Sequence, residues 1–184
     1  MKRIRYFVLT LITTVACIEL MAQDAQNPAP SPQARIEQVV GLTQFSIDYS
    51  RPGVKGRELF VEIEKWGQTW RTGANQGTFL EFDKDATFGG QKVAAGRYLI
   101  FSIPGQNEWT WMLYSDLSIG GNVGDYDKSK EVARWTSKTA TNDFNVERLT
   151  FNFADMTDTS AKIFMRWGKY STSFDISVNR DNEL

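Results

Sequence analysis

From residue 34 onward the chain is dominated by apolar and polar positions alternating with a period of two. In "FSIDYS", Phe45, Ile47 and Tyr49 alternate with Ser46, Asp48 and Ser50. Near the end, "YSTSFDISV" puts Tyr170, Thr172, Phe174, Ile176 and Val178 on one side, with Ser171, Ser173, Asp175 and Ser177 on the other. Such alternation predicts β-strands buried on one face. "LTFNF", with Leu149, Phe151 and Phe153 in phase, and "AKIFMRW" over 161–167 extend it. "YLIFSI" and "EWTWMLYS" flank the turn Pro104-Gly105-Gln106-Asn107 and are apolar at both phases. They predict a hairpin that is central or covered on its outer face.

Turn chemistry completes the pattern. "MTDTS" (156–160) reads as a turn, and Gly168-Lys169 carries the signal of a two-residue hairpin between the last two strands. The helical spacing of Leu59, Phe60, Ile63 and Trp66 suits one short helix sealing an end. About nine short strands with no crossover helices predict an all-β, two-layer antiparallel β-sandwich, either jelly-roll-like or a flattened barrel.

The first residues change the picture of where this body resides. Lys2, Arg3 and Arg5 precede an apolar run from Tyr6 to Ile18, too short for the roughly 20 residues of a membrane span. Residues 1–22 are therefore expected to be a signal peptide, leaving Gln23 as the new terminus. A lipid anchor on Cys17 is the rival, but Thr14 stands where a lipobox has an aliphatic residue. Either route exports the chain to the periplasm or the cell surface, without a transmembrane span. "DAQNPAPSPQ" then reads as a Pro-rich tether within 23–34, ahead of a single domain over 35–184.

Loss of residues 1–22 takes three basic residues and one acidic one from 21 and 22, leaving 18 and 21. That mild acidity speaks against nucleic acid, which calls for a basic face. Cys17 is the single cysteine and histidine is absent, so disulfides and His- or Cys-based catalysis are excluded. No metal or cofactor is expected; Asp125-Tyr126-Asp127 near Asn122 lacks the spacing of a calcium loop. Remaining catalytic options are carboxylate pairs of the glycoside-hydrolase type, drawn from Asp48, Glu58, Glu62 and Glu81, with Glu58 and Glu81 first.

Two glycine-punctuated segments stand apart from the strands: "SRPGVKGR" (50–57) and "WRTGAN" (70–75). Arg51, Lys55, Arg57, Trp70, Arg71 and Asn75 could converge at one end of the sandwich as a site for a small anionic ligand or a glycan. Guanidinium forks suit carboxylate, phosphate or sulfate, an amide can orient a ligand, and an indole can stack on a sugar. The same residues suit a second role, since an arginine beside a glycine turn often satisfies carbonyls that the loop leaves unpaired. Trp109, Trp111, Trp135 and Trp167 occupy strand positions and are expected in the core.

The strings "VGLTQFSIDYSRPGVKGRELF", "WGQTWRTGANQGTFLEF", "AGRYLIFSIPGQNEWTWMLY" and "VERLTFNFADMTDTSAKIFMRW" resemble, in that order, an exported Gram-negative bacterial family catalogued as domain of unknown function 2911. The resemblance spans about residues 31 to 178 and implies a β-rich domain outside the cytoplasm, with no established activity. It also implies a glutamate after Asn75, where this chain has Gln76. The leading expectation is non-catalytic ligand binding; the alternatives are a carboxylate-based hydrolase and an envelope scaffold recruiting a partner through a sheet edge.

Overall fold

The computed structural model describes residues 28–179. The expected signal peptide, Cys17 and the first part of the tether lie outside them. Nine strands follow one another: β1 Gln33–Val40, β2 Thr43–Ser50, β3 Thr78–Phe82, β4 Ala86–Phe88, β5 Gln91–Val93, β6 Gly96–Ile103, β7 Glu108–Tyr114, β8 Glu131–Ala154 and β9 Ser160–Val178. All neighbours pair antiparallel, in the order β1-β2-β3-β6-β7-β8-β9-β4-β5. The all-β antiparallel expectation holds. The hydrogen bonding is continuous, however, so what alternation presents as facing layers are parts of one sheet.

The 24-residue β8 makes this continuity possible. Its first part pairs with β7 from Glu131 to Lys138, and its remainder pairs with β9 from Thr139 to Ala154. The chain beyond β2 then reaches β8: Val54 N–H donates to Glu147 O, and Leu149 N–H donates to Pro52 O. The two ends of the sheet thereby share one core. Tyr49 meets Phe151 edge-on at 5.0 Å, Phe45 lies 6.5 Å from Phe153, and Trp70 stacks on Trp167 at 5.5 Å. Burial of aromatics on this scale, on the order of 150 Å² or more each, is the main favourable term in a chain without disulfides.

The hairpin of β6 and β7 is indeed buried on both faces. Ile100, Trp109, Trp111 and Leu113 enter the main core, while Leu99, Phe101, Met112 and Tyr114 form a second cluster. Three short 3₁₀ turns, Leu117–Ile119, Val123–Asp125 and Lys128–Lys130, lie along the segment that supplies Ile119, Val123 and Tyr126 to that cluster. Each turn is capped by a side chain: Asp116, Asn122 and Asp127 accept from the main-chain N–H two residues on. The acidic run at 125–127 therefore caps and packs.

Two sequence expectations change. Gly168-Lys169 is not a turn: β9 runs straight through it, and Gly168 pairs with Val146 where β8 slips register. Gly168 has φ +59°, and a Cβ there would lie 2.5 Å from Leu59 Cδ1. A turn-like dipeptide thus serves as a bulge that admits a neighbouring side chain. The one short helix is a five-residue π-type turn, Leu59–Ile63, whose Leu59 and Phe60 are buried. Trp66 closes over Phe60 at 4.1 Å.

The segment over the second cluster is locked by Glu131, whose side chain is 9% exposed. Arg134 donates to both carboxylate oxygens at 2.6 and 2.8 Å, and the Tyr126 hydroxyl donates at 2.6 Å. The Arg134 bond dominates burial and holds the Glu131 carboxyl below its ordinary range. A depressed carboxylate pKa contributes stability above the unfolded value of 4.5, lost as pH falls through the folded value. Glu131→Gln should cost about 2 kcal/mol at neutral pH. It should also flatten the fall in melting temperature below pH 4.5, as checked by calorimetry across pH.

Candidate functional site

The two motif segments do meet, and they meet on Ser50. Asn75 Nδ2 donates to Ser50 Oγ at 3.3 Å and to Ser31 O at 3.2 Å. Arg51 N–H donates to Pro32 O, and Arg148 reaches Pro30 O at 3.2 Å. What converges here is therefore the lead-in to the domain, held at Pro30, Ser31 and Pro32. The first strand accordingly begins at Gln33, inside the stretch expected to be tether.

The arginines have partners of the same kind. Arg51 Nε donates to Leu149 O at 2.9 Å and Nη2 donates to Thr150 Oγ1 at 2.7 Å. Arg57 bonds Val54 O and Gly53 O, at 3.1 and 2.9 Å. Arg71 Nη1 donates to Asn75 O at 2.7 Å, and its charge also bears on Glu64. Burial pushes the Glu64 carboxyl above its ordinary range, against the pull of Arg71 and Trp70. Lys55 is exposed at φ +50°, with its main-chain N–H on Glu147 Oε1. Trp70 is 2% exposed and donates its indole N–H to Gly73 O at 3.0 Å, so it plugs the core instead of facing a sugar.

The rest of "WRTGANQGT" leads to an open hollow. Gly77 lies so close to Gly121 that a Cβ on Gly121 would stand 2.6 Å from its Cα. That contact, with the bond from Gly77 N–H to Gly120 O, sets Gln76 and Gly77 as one wall. The hollow encloses about 370 Å³ and is lined by Gln33, Ser50, Gln76, Phe79, Asp48 and two arginines, Arg35 and Arg97, among others. A second depression of about 320 Å³ shares those arginines and adds Glu81 and Ser46. Both volumes fall in the range of small-molecule clefts.

Register builds this face. Arg35 stands opposite Asp48, Asp48 opposite Phe79, and Glu81 opposite Arg97. An ion ladder results: Arg35 bonds Glu37 and Asp48 at 2.7 Å each, while Arg97 lies 3.3 Å from Asp48 and 3.1 Å from Glu81. The Arg97 guanidinium also stacks over Phe79, 4.6 Å from the ring centroid, which fixes its plane. Sequence reasoning missed Arg35, Arg97 and Phe79. Their signal is a charged or aromatic residue at the outer phase of adjacent strands, visible only once the register is known.

A family model matches residues 31–176. The chain belongs to that family, described as a protein of unknown function (DUF2911). Neither the curated proteins nor the solved structures compared contain a match to it. The matched stretch begins at Ser31, the residue held by Asn75, and spans both motif segments and all four strands of the hollow.

Among the described residues no group of three or more acidic, histidine or cysteine side chains could hold a metal ion, and no helix is long and apolar enough to cross a membrane. A further cavity of about 530 Å³ lies where β8 and β9 part, with Lys138 and Lys162 among its lining residues. There Lys162 stands 3.8 Å from Asp175 and 3.7 Å from Asp155.

The bonds of Asn75 predict a separable effect. Asn75 sits at φ +59°, a region glycine also tolerates. Asn75→Gly should keep the loop but release Ser31, seen as faster exchange of the Ser31 and Gln33 amides. Asn75→Ala should add about 1–2 kcal/mol of destabilisation from the left-handed conformation.

Proposed function

We propose that the chain is an exported, non-catalytic binding domain that takes a small saccharide on the outer face of β1, β2, β3 and β6. The observation that carries this reading is a hollow of about 370 Å³ flanked by two guanidiniums that share Asp48, with Gln33, Gln76 and Ser50 around them. Planar amide, carboxylate and guanidinium groups supply the paired donors and acceptors that sugar hydroxyls need.

Charge selects among the ligands. The ladder holds two arginines against Glu37, Asp48 and Glu81, one net negative charge. A free anion would have to displace Asp48 from both guanidiniums, whereas a neutral sugar can bond to all three partners at once. A neutral saccharide therefore fits better than phosphate or sulfate. Hydrolysis fits poorly: Asp48 and Glu81 both engage Arg97, and Glu58 lines neither hollow of this sheet face.

Export rests on the basic and apolar opening of the chain. A panel of neutral and anionic oligosaccharides, read by glycan array and calorimetry, tests the reading. Arg97→Ala and Asp48→Asn should each weaken the best neutral ligand about 10- to 100-fold, the worth of one hydrogen bond to a charged group. Arg57→Ala should leave binding unchanged. Binding that persists in both sheet-face variants, or that follows sulfate content alone, would overturn it.

A further inference from the structure

The sheet has two edges, and they are built differently. β5 is three residues long, carries Lys92 on Asp85, and has the short, charged character that discourages strand addition. β1 has eight residues, no proline and no bulge, and pairs with β2 alone. Among the described residues its main chain makes no hydrogen bond to any other strand. Its outer positions are Gln33, Arg35, Glu37 and Val39, the last 54% exposed; its inner positions Ala34 and Ile36 pack on the core.

We propose that this edge pairs antiparallel with the same edge of a second copy, about a two-fold axis through Ile36. The sequence of the strand argues for the partner and for the register. A two-fold axis normal to the sheet keeps both core faces on one side, which allows only registers whose paired numbers add to an even sum. Centring the axis on Arg35 would set Arg35 against itself, and centring it on Glu37 would set Glu37 against itself. Centring it on Ile36 sets Arg35 against Glu37 twice, Ile36 against Ile36, and Gln33 against Val39. Opposite charges directly across a strand pair stabilise it and like charges oppose it. The charges that would repel a foreign strand are thus self-complementary in one arrangement.

The pairing does not depend on the saccharide reading, but it bears on the same face. Gln33, Ala34 and Arg35 form the β1 wall of the hollow, so each copy would bring Glu37 and Val39 of its neighbour to that wall. A single seven-residue pairing falls short of a standard interface of about 1,600 Å². The dimer is accordingly weak, with a dissociation constant on the order of 10–100 µM.

The test uses the chain from Gln23 onward, which contains every described residue and no cysteine. Ile36→Cys places two thiols on the axis, where opposed strands bring Cα atoms to about 4.5–5.5 Å, within disulfide reach. Oxidation should trap a covalent dimer, while Val39→Cys, about 20 Å from its mate at 3.4 Å per residue, should stay monomeric. Equal trapping at both positions, or none at residue 36, would overturn the proposal. A second arm mixes Glu37→Arg with Arg35→Glu chains: each alone should sediment as a monomer, and the mixture as a heterodimer with both charge pairs restored. A mixture that stays monomeric at several hundred micromolar while both chains melt cooperatively would contradict the register.

Discussion

Main-chain carbonyl groups in long connections must find donors, and that requirement shapes one whole pole of this molecule. The long connection from β2 to β3, residues 51–77, leaves the sheet and cannot pair with it throughout. Arg51, Arg57, Arg71, Asn75 and Arg148 answer by donating to Leu149, Gly53, Val54, Asn75, Ser31 and Pro30 carbonyls. A half-buried carbonyl without a donor costs about 1–3 kcal/mol, so the part-buried bonds of Arg51 and Arg57 outweigh a surface ion pair. The arginines of residues 50–57 and 70–75 are therefore engaged with the main chain. They knit the lead-in, the end of β2 and the middle of β8 into one pole.

With those arginines engaged, the proposed recognition rests on the outer sheet face. Its polar groups sit on strands, whose positions are fixed by ladder hydrogen bonds and by the core beneath. Asp48 is central because two guanidiniums from different strands meet on it. Phe79 keeps Arg97 flat, and the contact of Gly77 with Gly121 places the glutamine wall. The motif thus shapes the hollow from behind, through Gln76 and Gly77, while Arg71 and Trp70 hold the loop in place.

How much of this was legible in the chain follows from the range of each interaction. Strands were legible because burial on one face imposes a two-residue period locally, as for Phe45, Ile47 and Tyr49. The covered hairpin was legible because both phases of β6 and β7 are apolar. Gly168-Lys169 misled because a bulge and a hairpin turn ask for the same local residue, and the Leu59 side chain that decides between them lies over a hundred residues away. The three 3₁₀ turns were too short to leave a period. The hollow was hidden because Arg35, Asp48, Phe79 and Arg97 come together only through the pairing of four strands.

The central claim is that the motif arginines serve the main chain while the sheet face serves the ligand. Nuclear magnetic resonance on nitrogen-labelled protein addresses it directly, by following amide and arginine Nε–H signals together during titration with a bound neutral saccharide. The account predicts shifts at the amides of Ala34, Gln76 and Gly77 and at Arg97 Nε–H, with slowly exchanging Arg51 and Arg57 Nε–H signals that stay in place. Movement of the Arg51 and Arg57 signals with a silent sheet face would contradict it.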